Sequence, residues 1–213
     1  MGKQEIPDDT YTPETQNRDA DVRVLILTDD NVEDLEFFYP YYRFLEAGLA
    51  VDVVTPDGGK FKGKHGLEMK HSKKVTEVDP LEYDLLYIPG GKAPAKLRKD
   101  EDVLALVKQF VNGGKTVTTV CHGPQILAAA DVIGGRQIAG WPEIEEEITD
   151  AGGVYVSEET VVDDQFISGR WPADLPALMA KTLSIIDVIS ENPGATAGDA
   201  EREGAGTRPV GNA

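Results

Sequence analysis

One cysteine, Cys121, and three histidines, His65, His71 and His122, stand in a chain of 213 residues. A single cysteine excludes an internal disulfide and fits a reducing compartment. His65 and His71 have no cysteine partner and no paired ligand spacing, which argues against a metal site. No histidine follows position 122, so a cysteine protease or glutamine amidotransferase with a late catalytic histidine is disfavoured. Basic residues are scarce: 21 Lys and Arg stand against 38 Asp and Glu, for a net charge of −17. Without a basic stripe, such a surface repels nucleic acid and anionic membranes. The charge fits either plain solubility, helped by acidic tails, or a saline, halophilic cytoplasm in which screening suppresses self-repulsion. No apolar run approaches the ~20 residues that span a bilayer. The stretch Met1-Gly2-Lys3-Gln4-Glu5-Ile6-Pro7 lacks the apolar core of a secretory signal, and a cytoplasmic location is expected.

What is present is a pattern of alternation. Val22 to Leu27, Ala50 to Val54, Asp84 to Ile88 and Lys115 to Val120 read as strands, the first broken only by Arg23. Helical spacing covers about Val32 to Ala47, with Gly48 as C-cap, then Asp102 to Val111, Trp141 to Ala151 and Leu175 to Val188. His65 to Lys70 is a weaker strand candidate, and Val154 to Val156, Thr160 to Val162 and Gln165 to Ile167 are short ones. Residues 1–20 and 190–213 are polar or rich in Gly, Ala and acids, and are expected to be disordered tails around one α/β domain at 21–189. Strands alternating with helices imply a mainly parallel sheet covered on both faces, with its site beyond the C-terminal strand ends. Those ends are Thr28-Asp29-Asp30, Pro89-Gly90-Gly91 and Val120-Cys121-His122.

Cys121 sits where a β-rich run meets Gly123-Pro124 and the apolar stretch Gln125 to Ala130. A tight strand-to-helix turn lifts its residue from the sheet edge toward a helix N-terminus, whose dipole favours thiolate. A lone cysteine is more commonly a small packing residue, but the turn favours a nucleophile, exposed and ionised. Glu33 and Glu36 lie three apart at the start of the first helix. Glu33 reads as a complement to the helix dipole. Glu36 precedes Phe37-Phe38-Tyr39 and is expected to be shielded, and a shielded carboxyl beside a thiolate keeps its proton. It could then donate to sulfur or to a substrate. Gly90 and Gly91, with the amide of His122, could form an oxyanion hole. His122 adjoins the nucleophile, although neighbours on a turn often diverge.

These segments resemble the PfpI branch of the PfpI/ThiJ superfamily. The resemblance rests on Glu33-Asp34-Leu35-Glu36 with Tyr39-Pro40-Tyr41, then Gly63-Lys64-His65-Gly66 and Pro89-Gly90-Gly91-Lys92-Ala93-Pro94. It continues with Cys121-His122-Gly123-Pro124-Gln125 and Arg170-Trp171-Pro172-Ala173-Asp174-Leu175, and spans about Val22 to Asp187. It implies a flavodoxin-like, class I glutamine-amidotransferase-like sandwich that assembles as homo-oligomers, dimers or larger rings. It implies Cys121 as the reactive group, Glu36 as its acid, His122 as its neighbour, Gly91 and His122 as oxyanion-type amides, and Trp171 and Trp141 bordering the pocket. The activities it implies are a cofactor-free glyoxalase or deglycase acting on 2-oxoaldehydes such as methylglyoxal or their adducts, an intracellular cysteine peptidase, or a redox-sensing stress chaperone. The partner is then a small carbonyl compound or glycated adduct, without cofactor, metal, nucleic acid or membrane. The peptidase reading needs a further glutamate just after the Gly-Gly-basic-Ala-Pro turn. Ala95, followed by Lys96, stands there instead, which favours the glyoxalase or deglycase reading.

Overall fold

The computed structural model describes residues 20–191 and 197–205. A seven-stranded sheet runs in the order β10 (Val161–Asp163), β11 (Phe166–Gly169), β7 (Thr116–Val120), β6 (Leu85–Ile88), β1 (Arg23–Leu27), β2 (Ala50–Thr55), β5 (Lys73–Lys74). Every neighbouring pair is parallel except β10 with β11. Helices α1 (Asp34–Glu46) and α6 (Leu175–Glu191) pack on each other, as do α3 (Glu101–Asn112) and α4 (Pro124–Ala129). The result is an α/β three-layer fold. Val24 to Leu27 and Leu85 to Ile88 are all 0% exposed. Strands covered on both faces need continuous apolar runs rather than alternation, which is why these were the plainest in the sequence.

Several elements depart from expectation. The strand expected over residues 65–70 is shortened to β4, Glu68–Met69. β3 (Phe61–Lys62) pairs with β4 (Glu68–Met69) as a small hairpin, and β5 alone joins the main sheet. β9 (Val154–Tyr155) pairs with β8 (Gln137–Ile138) outside the main sheet. Two-residue strands carry no readable period. The acidic segment after Trp141 opens as a 3₁₀ turn, Pro142–Ile144, before α5 (Glu145–Asp150). A short α2 (Ala93–Leu97) follows the Gly90-Gly91 turn.

The expected C-terminal tail is corrected for part of its length. α6 continues to Glu191, and α7 (Ala197–Ala205) packs on α6 and β10 with Ala197 and Ala200 buried. An Ala- and acid-rich composition without branched residues suits a helix as well as a tail. The expected N-terminal tail and the rest of the C-terminal one lie outside the described residues, apart from Ala20. No described helix is long and apolar enough to cross a membrane.

Register places the site. Ile88 pairs with Thr119 and Gly169 with Val120, so β6, β7 and β11 end side by side. The next residues of β6 and β7 are Pro89-Gly90-Gly91 and Cys121-His122.

Candidate active site

Cys121 has φ +59°, left-handed backbone that a non-glycine residue adopts at a cost of about 1–2 kcal/mol. Its neighbours hold it there. The Cys121 N–H donates to the Gly169 carbonyl at 3.2 Å, and the Trp141 N–H donates to the Cys121 carbonyl at 2.8 Å. Gly123 is dictated by crowding: a Cβ there would lie 2.2 Å from Thr119 Oγ1 and 2.5 Å from the Ile88 carbonyl. Pro124 then opens α4.

The sulfur environment corrects one expectation. Cys121 is only 7% exposed, and α4 has just six residues. Burial pushes the thiol up from its ordinary range and the Glu36 charge pushes it further, while the Gly91 and His122 amides pull it down. The sulfur is a shielded group whose ionisation depends on Glu36 and two amides, not an exposed thiolate at a helix dipole.

Glu36 is fully buried on the inner face of α1. Its Oε2 accepts from the Gly90 N–H at 2.8 Å. Its Oε1 is buried with no nitrogen or oxygen partner, and the carboxyl makes a hydrogen-bonding contact with the Cys121 sulfur. Burial pushes its pKa up to about 7, against the opposing Gly90 amide. The shielding expected from the aromatic residues that follow is therefore present. Two buried acids in contact cannot both ionise, so the pair holds at least one proton at neutral pH. Two amides point at sulfur and one at the carboxyl. The contact lowers the Glu36 pKa and raises that of Cys121, so the pair's negative charge rests on the carboxyl, with the proton on sulfur.

Gly90 is thereby removed from the expected oxyanion set, because its N–H is committed to Glu36. It remains indispensable for space. A Cβ on Gly90 would lie 2.7 Å from Glu36 Oε2, 2.7 Å from the His122 nitrogen and 2.8 Å from Cys121 Cβ. The amides that reach the sulfur are those of Gly91 and His122.

The His122 ring does not diverge: Nδ1 lies 3.2 Å from Sγ. Its face stacks on Trp141 with centroids 5.8 Å apart at 23°. Burial lowers its pKa, so the imidazole is neutral at neutral pH. Among the described residues no carboxylate hydrogen-bonds this ring. Trp171 meets Trp141 edge-on at 6.3 Å and lies under the Arg170 guanidinium at 4.4 Å. Arg170 is itself held by both oxygens of Asp174. Trp171 thus buttresses the aromatic wall through Trp141.

The structure adds a group that sequence reading left as a helix-dipole complement. Glu33, 7% exposed, pairs with the Lys64 ammonium and lies 3.4 Å from His65 Nε2. Lys64 acts electrostatically on Glu36, Cys121 and His122, placing a cation at the mouth of the site. The motif Gly63-Lys64-His65-Gly66 was the available signal, but nothing in its spacing told where the loop would fold. Ala95 is exposed in the middle of α2, and Lys96 turns away to Asp29 at 2.5 Å. Among the described residues no group of His, Cys, Asp and Glu side chains is arranged to hold a metal ion.

Comparison with known proteins places the chain in a family. Residues 22–185 match the DJ-1/PfpI family. Deglycase PH1704 of Pyrococcus horikoshii is 38% identical over 165 residues, covering 78% of this chain and 99% of its own. Protein/nucleic acid deglycase 2 of Escherichia coli is 39% identical over 167 residues, covering 77% and 97%. A solved two-domain protein of Anabaena variabilis, with DJ-1/ThiJ/PfpI-like and ferritin-like domains, superposes with a TM-score of 0.76 at 34% identity. That match takes in 84% of this chain and 54% of the two-domain protein. With sequence, sheet order and the cysteine elbow in agreement, the chain belongs to the DJ-1/PfpI family.

Proposed function

We propose that this protein is a cysteine-dependent, cofactor-free deglycase and glyoxalase acting on 2-oxoaldehydes such as methylglyoxal and on their early adducts. The observation that carries this reading is the Glu36–Cys121 pair: a fully buried carboxyl against a buried sulfur, with the Gly90 amide on the carboxyl and the Gly91 and His122 amides on the sulfur. The Glu36 carboxylate takes the thiol proton as the sulfur attacks the aldehyde carbon and the C–S bond forms. The carbonyl electrons move to oxygen, which takes the proton of Glu36, giving a hemithioacetal. The Gly91 and His122 amides stabilise the developing oxyanion. Neutral His122 removes the proton from the former aldehyde carbon and returns it to the adjacent one, while the hydroxyl proton passes to the former ketone oxygen. The product at this stage is a thioester of the 2-hydroxy acid. Water cleaves it, releasing the acid and regenerating the thiol. Early adducts on amines or thiols undergo the same attack, in which the C–N or C–S bond to the modified group breaks and the amine or thiol leaves with a proton.

The test is D-lactate formation from methylglyoxal without glutathione. Cys121→Ser is expected to lose about 10³-fold or more, and Glu36→Gln about 10²-fold. Equal rates in all three proteins would end this reading. The peptidase alternative keeps the nucleophile but lacks an acid for His122, since Ala95 occupies that place. Cleavage of a fluorogenic peptide that vanishes in Cys121→Ser would restore it.

A further inference from the structure

Pro40 lies inside α1 and is buried. A proline has no N–H, and its ring crowds the carbonyl four residues back. In α1 that carbonyl belongs to Glu36, so the helix withholds the usual donor from the very residue that supports Cys121. Another group supplies it. The Tyr87 hydroxyl, on β6, donates to the Glu36 carbonyl at 2.9 Å in a buried bond. Tyr87 is 0% exposed and its ring packs edge-on against Phe44 of α1, with centroids 5.8 Å apart. Glu36, Pro40 and Phe44 are spaced four apart and form one buried stripe. The tyrosine therefore spans two turns of that stripe, its ring at one end and its hydroxyl at the other.

We infer that Tyr87 is a positioning residue for Glu36: it occupies the backbone gap left by Pro40 and fixes the first turns of α1 so that the carboxyl meets the Gly90 amide and the Cys121 sulfur. This rests on the proposed role of the Glu36–Cys121 pair. The fixture has to be precise because the carboxyl sits between Gly90 and Cys121 with no room to spare. A single added carbon on Gly90 would already stand 2.7 Å from Oε2. Rotation of the Glu36 backbone by a fraction of an ångström is transmitted directly to both contacts. The titratable groups facing the pair are Glu33 and Lys64 at the mouth and neutral His122 beside the sulfur. Burial holds the Tyr87 phenol well above its ordinary range, so it stays a donor while the pair titrates.

The pairing of Pro40 with Tyr87 yields a decisive experiment. Pro40→Ala returns an N–H to α1, which can satisfy the Glu36 carbonyl from within the helix. The full-length wild type, Tyr87→Phe, Pro40→Ala and the double variant are compared by iodoacetamide alkylation of Cys121 across pH, and by kcat/KM for methylglyoxal. Near-ultraviolet circular dichroism checks that each is folded. Tyr87→Phe in the native background is expected to raise the alkylation midpoint by about half a unit and to lower kcat/KM about five-fold, the size of one lost hydrogen bond. In the Pro40→Ala background the same substitution is expected to do neither, because the helix now supplies the donor. An equal effect of Tyr87→Phe in both backgrounds, or no movement of the midpoint in the native one, overturns the inference. Should no form produce D-lactate, the enzymatic reading fails while the alkylation series still decides the role of Tyr87.

Discussion

Glu36 and Asp52 are both carboxyls packed against the same sheet, each beside a weak acid, and their surroundings drive them in opposite directions. Asp52 on β2 receives the Lys73 ammonium at 2.9 Å, the Tyr83 hydroxyl at 2.8 Å and Arg23 at 3.2 Å. Burial alone would raise its pKa, but Lys73 and Tyr83 outweigh it and the net direction is down. Glu36 has burial with no cation in hydrogen-bonding contact, and its pKa is pushed up to about 7. Partner supply separates the two. A carboxyl with three donors at a solvent-touched edge is a structural clamp. A carboxyl with one amide and a buried sulfur is a proton held ready to move.

The sharpest way to break that contrast is to crowd the poorer site. Gly90→Ala places a Cβ where Glu36, His122 and Cys121 already touch. It is expected to lower methylglyoxal turnover by about 10²-fold, the scale of misplacing a catalytic group by an ångström. Activity within two-fold of wild type would show that the Glu36–Gly90 contact has no part in the chemistry. Next in size is a stability slope. Glu36 binds its proton more tightly folded than unfolded, so its contribution is complete below about pH 4.5 and fades as pH rises to about 7, by about 3 kcal/mol. Urea unfolding across that range should show wild type losing stability relative to Glu36→Gln. Parallel curves would mean that the carboxyl is not shielded.

Asp52 should behave in the reverse sense. Its contribution is present above the unfolded-state carboxyl range and lost only as pH falls through it. Asp52→Asn is therefore expected to cost about 1–2 kcal/mol near neutral pH, leaving D-lactate formation within two-fold of wild type. A collapse of activity would join the two clusters and dissolve the distinction between them.

Much of this was legible because the strands are buried on both faces. Val24 to Leu27, Leu85 to Ile88 and Thr116 to Val120 announced themselves as unbroken runs, and Cys121-His122-Gly123-Pro124 marked the elbow. Glu36 was separable from Glu33 by the aromatic residues that follow it. What could not be read depended on close approach between distant segments. That the Gly90 amide serves Glu36 rather than a substrate oxyanion follows from the packing of α1 on the β6 end, 54 residues away in sequence. The His122–Trp141 stack requires the Trp141 backbone to bond the Cys121 carbonyl. The role of Tyr87 appears only once Pro40 is seen to leave the Glu36 carbonyl without its helical donor. The helix α7 was hidden for a different reason: composition alone does not separate a helix-favouring Ala-rich segment from a tail.

The most direct measurement is the pH dependence of Cys121 alkylation in wild type and in Glu36→Gln. If the Glu36 carboxylate draws off the thiol proton, the wild-type alkylation rate rises with a midpoint near pH 7, where Glu36 titrates, clearly below the ~8.5 of a free cysteine, and Glu36→Gln removes that rise. A wild-type midpoint above ~8.5 that Glu36→Gln leaves in place would mean that burial alone governs the sulfur, and would contradict the account.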